Sequence, residues 1–161
     1  KNVKEYDGNS NAYITNSNGL YEYNDRSKQY EKVGEAKDLK KYYGTAYLTN
    51  SNELYKYNSS SNQYEKVGDN VKEYYSNIDA YLTHSNELYK YNGSQYEKVG
   101  DNVKELKQYY YITNSNEIYA YNDDHYEYEK IEVNGDDIKE FGENYFITKD
   151  NKIRYYYIII A

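Results

Sequence analysis

The chain has 161 residues, 28 of them tyrosine, a net charge of −7 and no cysteine. That charge speaks against nonspecific nucleic-acid binding, which needs a basic patch, and the missing cysteine excludes disulfides and thiolate metal sites. Mean hydropathy is −1.23, a value that suggests disorder, but tyrosine buries a large apolar ring while its hydroxyl still reaches water or a partner, so the chain reads as folded.

The predicted elements follow one plan written five times. The first unit opens at Val3 with "VKEY", and the plan restarts at Leu39 ("LKKY"), Val71 ("VKEY"), Val103 ("VKEL") and Ile138 ("IKEF"). The offsets are 36, 32, 32 and 35 residues, the sequence signature of a repeat architecture. The units are 3–38, 39–70, 71–102, 103–137 and 138–161, in a single repeat domain spanning 1–161. Each contains four short segments rich in Tyr, Val, Ile, Leu and Thr, separated by Asn, Ser, Gly or Asp. In the third unit they read "VKEYY", "DAYLT", "ELYKYN" and "QYEKVG". That is strand and turn chemistry. Asn18-Gly19, Asn92-Gly93 and Asn134-Gly135 are expected to form tight hairpin turns, which use positive φ. "KDLKKYY" from Lys37 is the nearest approach to a helix, and its place in the repeat makes it a strand. Short gaps join antiparallel neighbours, so each unit is a four-stranded meander. In the fifth, "NKIRYYY" is followed by no turn and "IIIA" simply continues, as an altered closing strand or a cut.

Charge orders the strands within a unit. The first and fourth carry pairs such as Lys72-Glu73 and Glu97-Lys98, which protect sheet edges. The middle two alternate aliphatic with aromatic residues and want cover on both faces. The expectation is therefore all-β, tandem four-stranded antiparallel meanders, first of all a small five-bladed β-propeller in which tyrosines of successive copies pack against one another. The alternatives are an open β-meander or solenoid array and a single-layer sheet.

The order "VKE…AYLTNSNELYKYN…VG" resembles the bacterial propeller repeats related to the regulator of chromosome condensation. Leu54-Tyr55-Lys56-Tyr57-Asn58 stands in that family's "lYtWG" place and Val67-Gly68 in its "LG" place. The family's Gly-His pair before the second strand is missing, Tyr replaces Trp, and the units are shorter. The resemblance implies propeller architecture and carries over no nucleotide-exchange activity.

A search for chemistry finds few reactive groups. His84 replaces Asn50 in a copied turn and reads as drift in a solvated hairpin. His125 stands beside Asp123 and Asp124, a carboxylate–imidazole group that has the chemistry of a metal site but reads as an acidic turn; no metal or cofactor is expected. "NGDDIKE" from Asn134 lacks the spacing of a calcium loop. Glu53, Glu87 and Glu117 recur at one turn position, and catalysis needs a single asymmetric constellation rather than equal residues in equal places. They read as surface charge, and no enzyme is expected. Asn58-Ser59-Ser60 and Asn92-Gly93-Ser94 match a glycosylation sequon.

The binding candidates are aromatic. Tyr21/Tyr23, Tyr55/Tyr57, Tyr89/Tyr91 and Tyr119/Tyr121 each share one strand face, and Asn24, Asn58, Asn92 and Asn122 follow them. Rings beside an amide suit the C–H face and hydroxyls of a sugar, and repetition turns weak sites into avidity. Tyr23, Asn24, Tyr57, Asn58, Tyr91, Asn92, Tyr121 and Asn122 are thus the expected ligand contacts, although the same rings suit core packing. Tyr30, Tyr64 and Tyr96 read as exposed rim residues.

The expected function is a non-catalytic recognition or adhesion module for a glycan or protein partner; the alternative is a structural scaffold or assembly component of a larger surface complex. An extracellular or cell-surface location fits the lack of cysteine. No initiator Met or signal peptide is visible, so the chain is expected to be a processed product or an excised fragment. The apolar end at Ile158 to Ala161 is too short to span a bilayer, so no membrane insertion is expected.

Overall fold

One recurring turn cuts the chain into strands. In the computed structural model, which describes residues 3–7, 11–35, 38–122, 125, 127–142 and 145–155, Asn18, Asn52, Asn86, Asn116 and Asn151 all have φ between 58° and 63°. Asn enters the left-handed region more readily than most residues because its short amide bonds locally. The Thr three positions earlier holds the turn. Its Oγ1 accepts from the backbone N–H of Gly19, Glu53, Glu87, Glu117 or Lys152 at 3.0–3.2 Å. Thr15, Thr49, Thr83 and Thr113 are buried, and a buried hydroxyl needs such a partner. The expected Asn-Gly turns fare differently. Gly93 has φ 97° in the third unit's last hairpin, whereas at Asn18-Gly19 the left-handed residue is the Asn. Asn134-Gly135 is not a hairpin: Asn134 ends a strand, and Gly135–Asp137 is a single 3-10 turn leading to the fifth sheet.

Nineteen strands form five antiparallel sheets among the described residues. Sheet 1 is β1 (Val3–Asp7), β2 (Ala12–Thr15), β3 (Gly19–Asn24) and β4 (Gln29–Glu35). Sheet 2 is β5 (Leu39–Tyr42), β6 (Ala46–Thr49), β7 (Leu54–Asn58) and β8 (Gln63–Gly68). Sheet 3 is β9 (Val71–Tyr75), β10 (Ala80–Thr83), β11 (Leu88–Tyr91) and β12 (Tyr96–Gly100). Sheet 4 is β13 (Val103–Leu106), β14 (Tyr110–Thr113), β15 (Glu117–Asn122) and β16 (Glu127–Asn134). Sheet 5 has three strands, β17 (Ile138–Phe141), β18 (Tyr145–Thr148) and β19 (Ile153–Tyr155). Neighbours in sequence are neighbours in every sheet, and none of the five closes into a barrel. The fold is therefore an all-β series of tandem antiparallel meanders. The expected continuation through "IIIA" lies outside the described residues. Among those residues no helix is long and apolar enough to cross a membrane.

Register gives each sheet two unlike faces. Pairing of Tyr47 with Tyr55 and of Tyr57 with Tyr64 puts these rings on one side of sheet 2; Ala46, Leu48 and Leu54 fall on the other. The charged first strands β1, β5, β13 and β17 are bulged. In β13 the register shifts between Val103 and Glu105, so both Lys104 and Glu105 face water while Val103 and Leu106 are buried. A bulge supplies the extra residue that strict alternation does not.

The chain divides into two compact units, Lys1–Ser76 and Asn77–Ala161. In the first, Ile14, Leu20 and Val33 of sheet 1 pack with Leu39 and Tyr47 of sheet 2, and Tyr42, Tyr55, Tyr57 and Tyr64 lie against them. In the second, Tyr110, Ile112, Ile118, Ala120 and Ile131 of sheet 4 pack with Ile138 and Phe146 of sheet 5. In both, the aliphatic face of one sheet lies on the aromatic face of the next. This corrects the expectation that rings of successive copies mainly bury one another. Ring pairs across sheets do occur, as Tyr43 with Tyr74 at 5.1 Å and Tyr110 with Phe141 at 5.4 Å. Most rings, however, stack within their own sheet, because cross-strand pairing already sets them side by side.

Candidate functional site: clefts between successive sheets

Each of sheets 1–4 carries a four-ring cluster. In sheet 2, Tyr47 stacks on Tyr55 with centroids 4.9 Å apart and planes 5° from parallel. Tyr64 tilts onto Tyr47 at 5.3 Å, and Tyr57 meets Tyr64 edge-on at 5.4 Å. Sheets 1, 3 and 4 repeat this, with stacked pairs Tyr13–Tyr21, Tyr81–Tyr89 and Tyr111–Tyr119 at 4.8–5.0 Å. Offset stacking and edge contacts each add about 0.5–1.5 kcal/mol beyond simple burial.

The stacked pairs wall two equivalent clefts. In the first unit a cleft of about 620 Å3 lies between β4 and sheet 2, lined by Lys32, Gly34, Glu35, Tyr47, Tyr55 and Tyr64 among others. In the second unit a cleft of about 530 Å3 lies between β12 and sheet 4, lined by Lys98, Gly100, Asp101, Tyr111, Glu117 and Tyr119 among others. Lys32 and Lys98 are repeat equivalents, as are the two tyrosine pairs. Gly100 has no room for a side chain: a Cβ would sit 2.9 Å from Cζ of Tyr111. Gly100 thus makes space for the Tyr111 ring of the next unit, whereas at the equivalent Gly34 the nearest side-chain atom is 3.6 Å away.

The rims are charged. Lys98 Nζ bonds Glu87 at 2.7 Å and Asp101 at 2.5 Å, and Lys32 pairs with Glu35. Glu53 and Glu117 are held by Lys66 and Lys130 at 2.7 and 2.6 Å. Inside the first cleft, Tyr47 Oη donates to the Glu35 carbonyl at 3.2 Å. Burial pushes the Tyr47 phenol up to about 12, helped by Tyr55 and Glu53. A wall of protonated phenols with a charged rim offers stacking surface and hydrogen bonds, which is binding chemistry.

The sequence-predicted residues lie mainly at the hairpin tips between third and fourth strands. Tyr23, Tyr57, Tyr91 and Tyr121 are half-buried against Tyr30, Tyr64, Tyr96 and Tyr128. The four asparagines shape the turns. Asn24 donates to Glu31 at 2.8 Å and accepts from Arg26 N–H at 2.9 Å; Asn58 does the same with Glu65 and Ser60, both at 2.9 Å. Asn92 accepts from the N–H groups of Ser94 and Gln95, and Asn122 donates to Glu129 at 2.8 Å. Tyr91, Asn92 and Tyr121 come together in a smaller cleft of about 190 Å3, where Lys90 Nζ lies 4.7 Å from the Tyr121 ring centroid. Tyr57 instead lies against the core shared by sheets 1 and 2.

Tyr30 is exposed, as expected at the rim; Tyr64 and Tyr96 are half-buried, their hydroxyls turned inward onto Glu22 and the Gly44 carbonyl and onto Asp79. Sequence reasoning missed Tyr47 and Tyr111 as cleft walls. The available signal was their place directly opposite Tyr55 and Tyr119 across a short turn.

His125, Glu127 and Glu129 place one ligand atom each within 4.8 Å of one another. His125 Nδ1 lies 2.6 Å from Glu129 Oε1, and Ser27 and Ser61 bond Glu31 and Glu65 at the same distance in equivalent hairpins. His125 thus fills a serine's structural place. Asp123 and Asp124 lie outside the described residues. His84 is exposed in its turn.

No protein-family model matches the chain, and no curated protein matches it.

Proposed function

We propose that the protein is a non-catalytic recognition module, acting at or outside the cell surface, that binds a glycan or an extended protein segment through the clefts between its sheets. One observation carries this reading: the same cleft occurs in both units, with stacked tyrosines on one wall and a lysine–carboxylate pair at the rim. Stacked rings suit the apolar face of a sugar or a flat side chain. Two equivalent clefts raise avidity for a repetitive ligand that spans them.

The test is a glycan array and a peptide panel, followed by titration of any ligand against Tyr55→Ala, Tyr119→Ala and the double variant. Each single change should weaken binding, and the double change should lose more against a polymeric ligand than against its monomer unit. Circular dichroism monitors the fold. Blank array and panel would sink the reading.

A further inference from the structure

The chain contains three Asn-Gly dipeptides, at 18–19, 92–93 and 134–135, and the fold treats their backbone amides differently. The Gly19 N–H is buried and donates to Thr15 Oγ1 at 3.0 Å, and the Gly135 N–H donates to the Asn116 carbonyl at 2.8 Å. Gly93 lies at an exposed hairpin tip, and its N–H has no hydrogen-bond partner among the described residues. The Asn92 side chain is also set apart. At the other three tips the asparagine Nδ2 donates to Glu31, Glu65 or Glu129 at 2.8–2.9 Å. Asn92 Nδ2 has no such partner among the described residues, and the equivalent Glu97 accepts from Gln95 Nε2 at 3.1 Å instead. Asn92 Oδ1 accepts from the N–H groups of Ser94 and Gln95, both at 2.9 Å. The bond to Ser94 closes an Asx turn that contains the Gly93 nitrogen, so the side chain stays folded back toward that nitrogen.

We propose that Asn92-Gly93 is a site of spontaneous modification, at which Asn92 deamidates through a succinimide while the folded chain preserves Asn18 and Asn134. The Gly93 nitrogen attacks Cγ of Asn92, and its proton passes through solvent to Nδ2, which leaves as ammonia when the Cγ–Nδ2 bond breaks. Water then opens the five-membered ring at either carbonyl, giving aspartate or isoaspartate. The tip favours each part of this step. Nucleophile and leaving group are engaged by no other group, and nothing lies within 4 Å of where a Cβ on Gly93 would stand. The two N–H donors on Oδ1 sit where negative charge develops during the attack, as in an oxyanion hole. Holding both reacting atoms in one turn supplies proximity as well. At Gly19 and Gly135 the attack must first break a hydrogen bond. The susceptible pair is also demanded by the fold: Asn92 N–H donates to the Gln95 carbonyl at 3.0 Å, and so short a turn needs a residue such as Gly93 at φ 97°. Isoaspartate adds a methylene to that turn's backbone. Either product brings a carboxylate to the cleft of about 190 Å3 that Lys90, Glu97 and Tyr121 also line.

Deamidation at the tip needs no ligand, so a blank glycan array leaves the proposal standing. The test is incubation of the folded full chain in mildly alkaline buffer, with peptide mapping by mass spectrometry over time. Each converted asparagine exchanges an NH2 for an OH, and isoaspartate is counted by labelling with a protein isoaspartyl methyltransferase. Conversion at 92 should outpace that at 18 and at 134 by about fivefold or more, the factor one net hydrogen bond supplies. The same incubation in denaturant should bring the three rates together, since all three glycine amides then face solvent. Equal rates in the folded protein, or faster conversion at 18 or 134, overturn the proposal. A lead at 92 that is undiminished in denaturant overturns it too, because the preference then belongs to the flanking sequence and not to the fold.

Discussion

The fate of its hydroxyl separates one tyrosine here from another. Tyr64 Oη donates to the Gly44 carbonyl at 2.7 Å and also reaches Glu22 of the preceding sheet; burial, then the Glu22 hydrogen bond, push its pKa upward. Tyr128 occupies the equivalent place in sheet 4, but its buried hydroxyl has no hydrogen-bond partner among the described residues, and burial pushes its pKa upward. Removing the first hydroxyl takes a donor from the Gly44 carbonyl and leaves Glu22 with Tyr42 Oη at 3.1 Å, which costs about 1–3 kcal/mol. Removing the second relieves an unpaired polar group. Tyr64→Phe should therefore lower the denaturant midpoint clearly, and Tyr128→Phe should leave it level or raise it. Equal losses in the two variants would contradict this account.

At the scale of the element, junction glycines decide how closely one sheet approaches the next. A methyl at Gly100 would meet Cζ of Tyr111 at 2.9 Å and its Oη at 3.1 Å, and that ring is held by its stack on Tyr119. At Gly34 the nearest side-chain atom is 3.6 Å away, an ordinary contact. Gly100→Ala should cost about 1–3 kcal/mol, as overpacking does, while Gly34→Ala is tolerated. Thermal melts of the pair check this. Elements of this kind were largely legible in the sequence, since alternation and Asn-rich breaks fixed every meander. The bulge in "VKEL" was not read, although apolar residues three apart with two charges between them cannot alternate on a flat strand. That the hairpin asparagines also bond within their own turns was not legible, because residue type alone does not say which groups an amide meets.

For the whole molecule, the buried phenols set the pH range of stability. An unfolded tyrosine titrates near about 10, while burial raises Tyr47 to about 12 and shifts Tyr64, Tyr111 and Tyr128 further in the same direction. Below the unfolded value both states are protonated and the contribution is complete. Above it the unfolded chain releases protons first, so stability falls as pH rises toward the native values. On the acid side hydrogen bonds lower Glu31 (from Ser27, then Asn24), Glu65 (from Asn58, then Ser61) and Glu129 (from His125, then Asn122). Their contribution is present above the ordinary carboxylate range and fades as pH falls. Being exposed, these groups are well screened. Melting temperature should decline gently in acid and steeply in alkali, together with a late-titrating class of phenols in ultraviolet absorbance. A midpoint that stays level well past pH ~10 would count against buried tyrosines. The exposure of a given ring belongs to this scale, and no local pattern reveals it. Tyr6 and Tyr74 end the same tetrapeptide, "VKEY", yet one is wet and the other dry, because exposure depends on what lies next to the sheet.

The strict neighbour-to-neighbour order of the strands also governs how the protein is made. Every sheet is completed by one continuous stretch, so pairings are short in sequence and folding is fast for a β protein. A nascent polypeptide emerging from the ribosome finishes each sheet before the following one is synthesised. Refolding from denaturant lacks that timetable. There the near-duplicate hairpins at 46–58 and 80–92 compete for the same neighbours, and exchange between them is the characteristic error of such arrays.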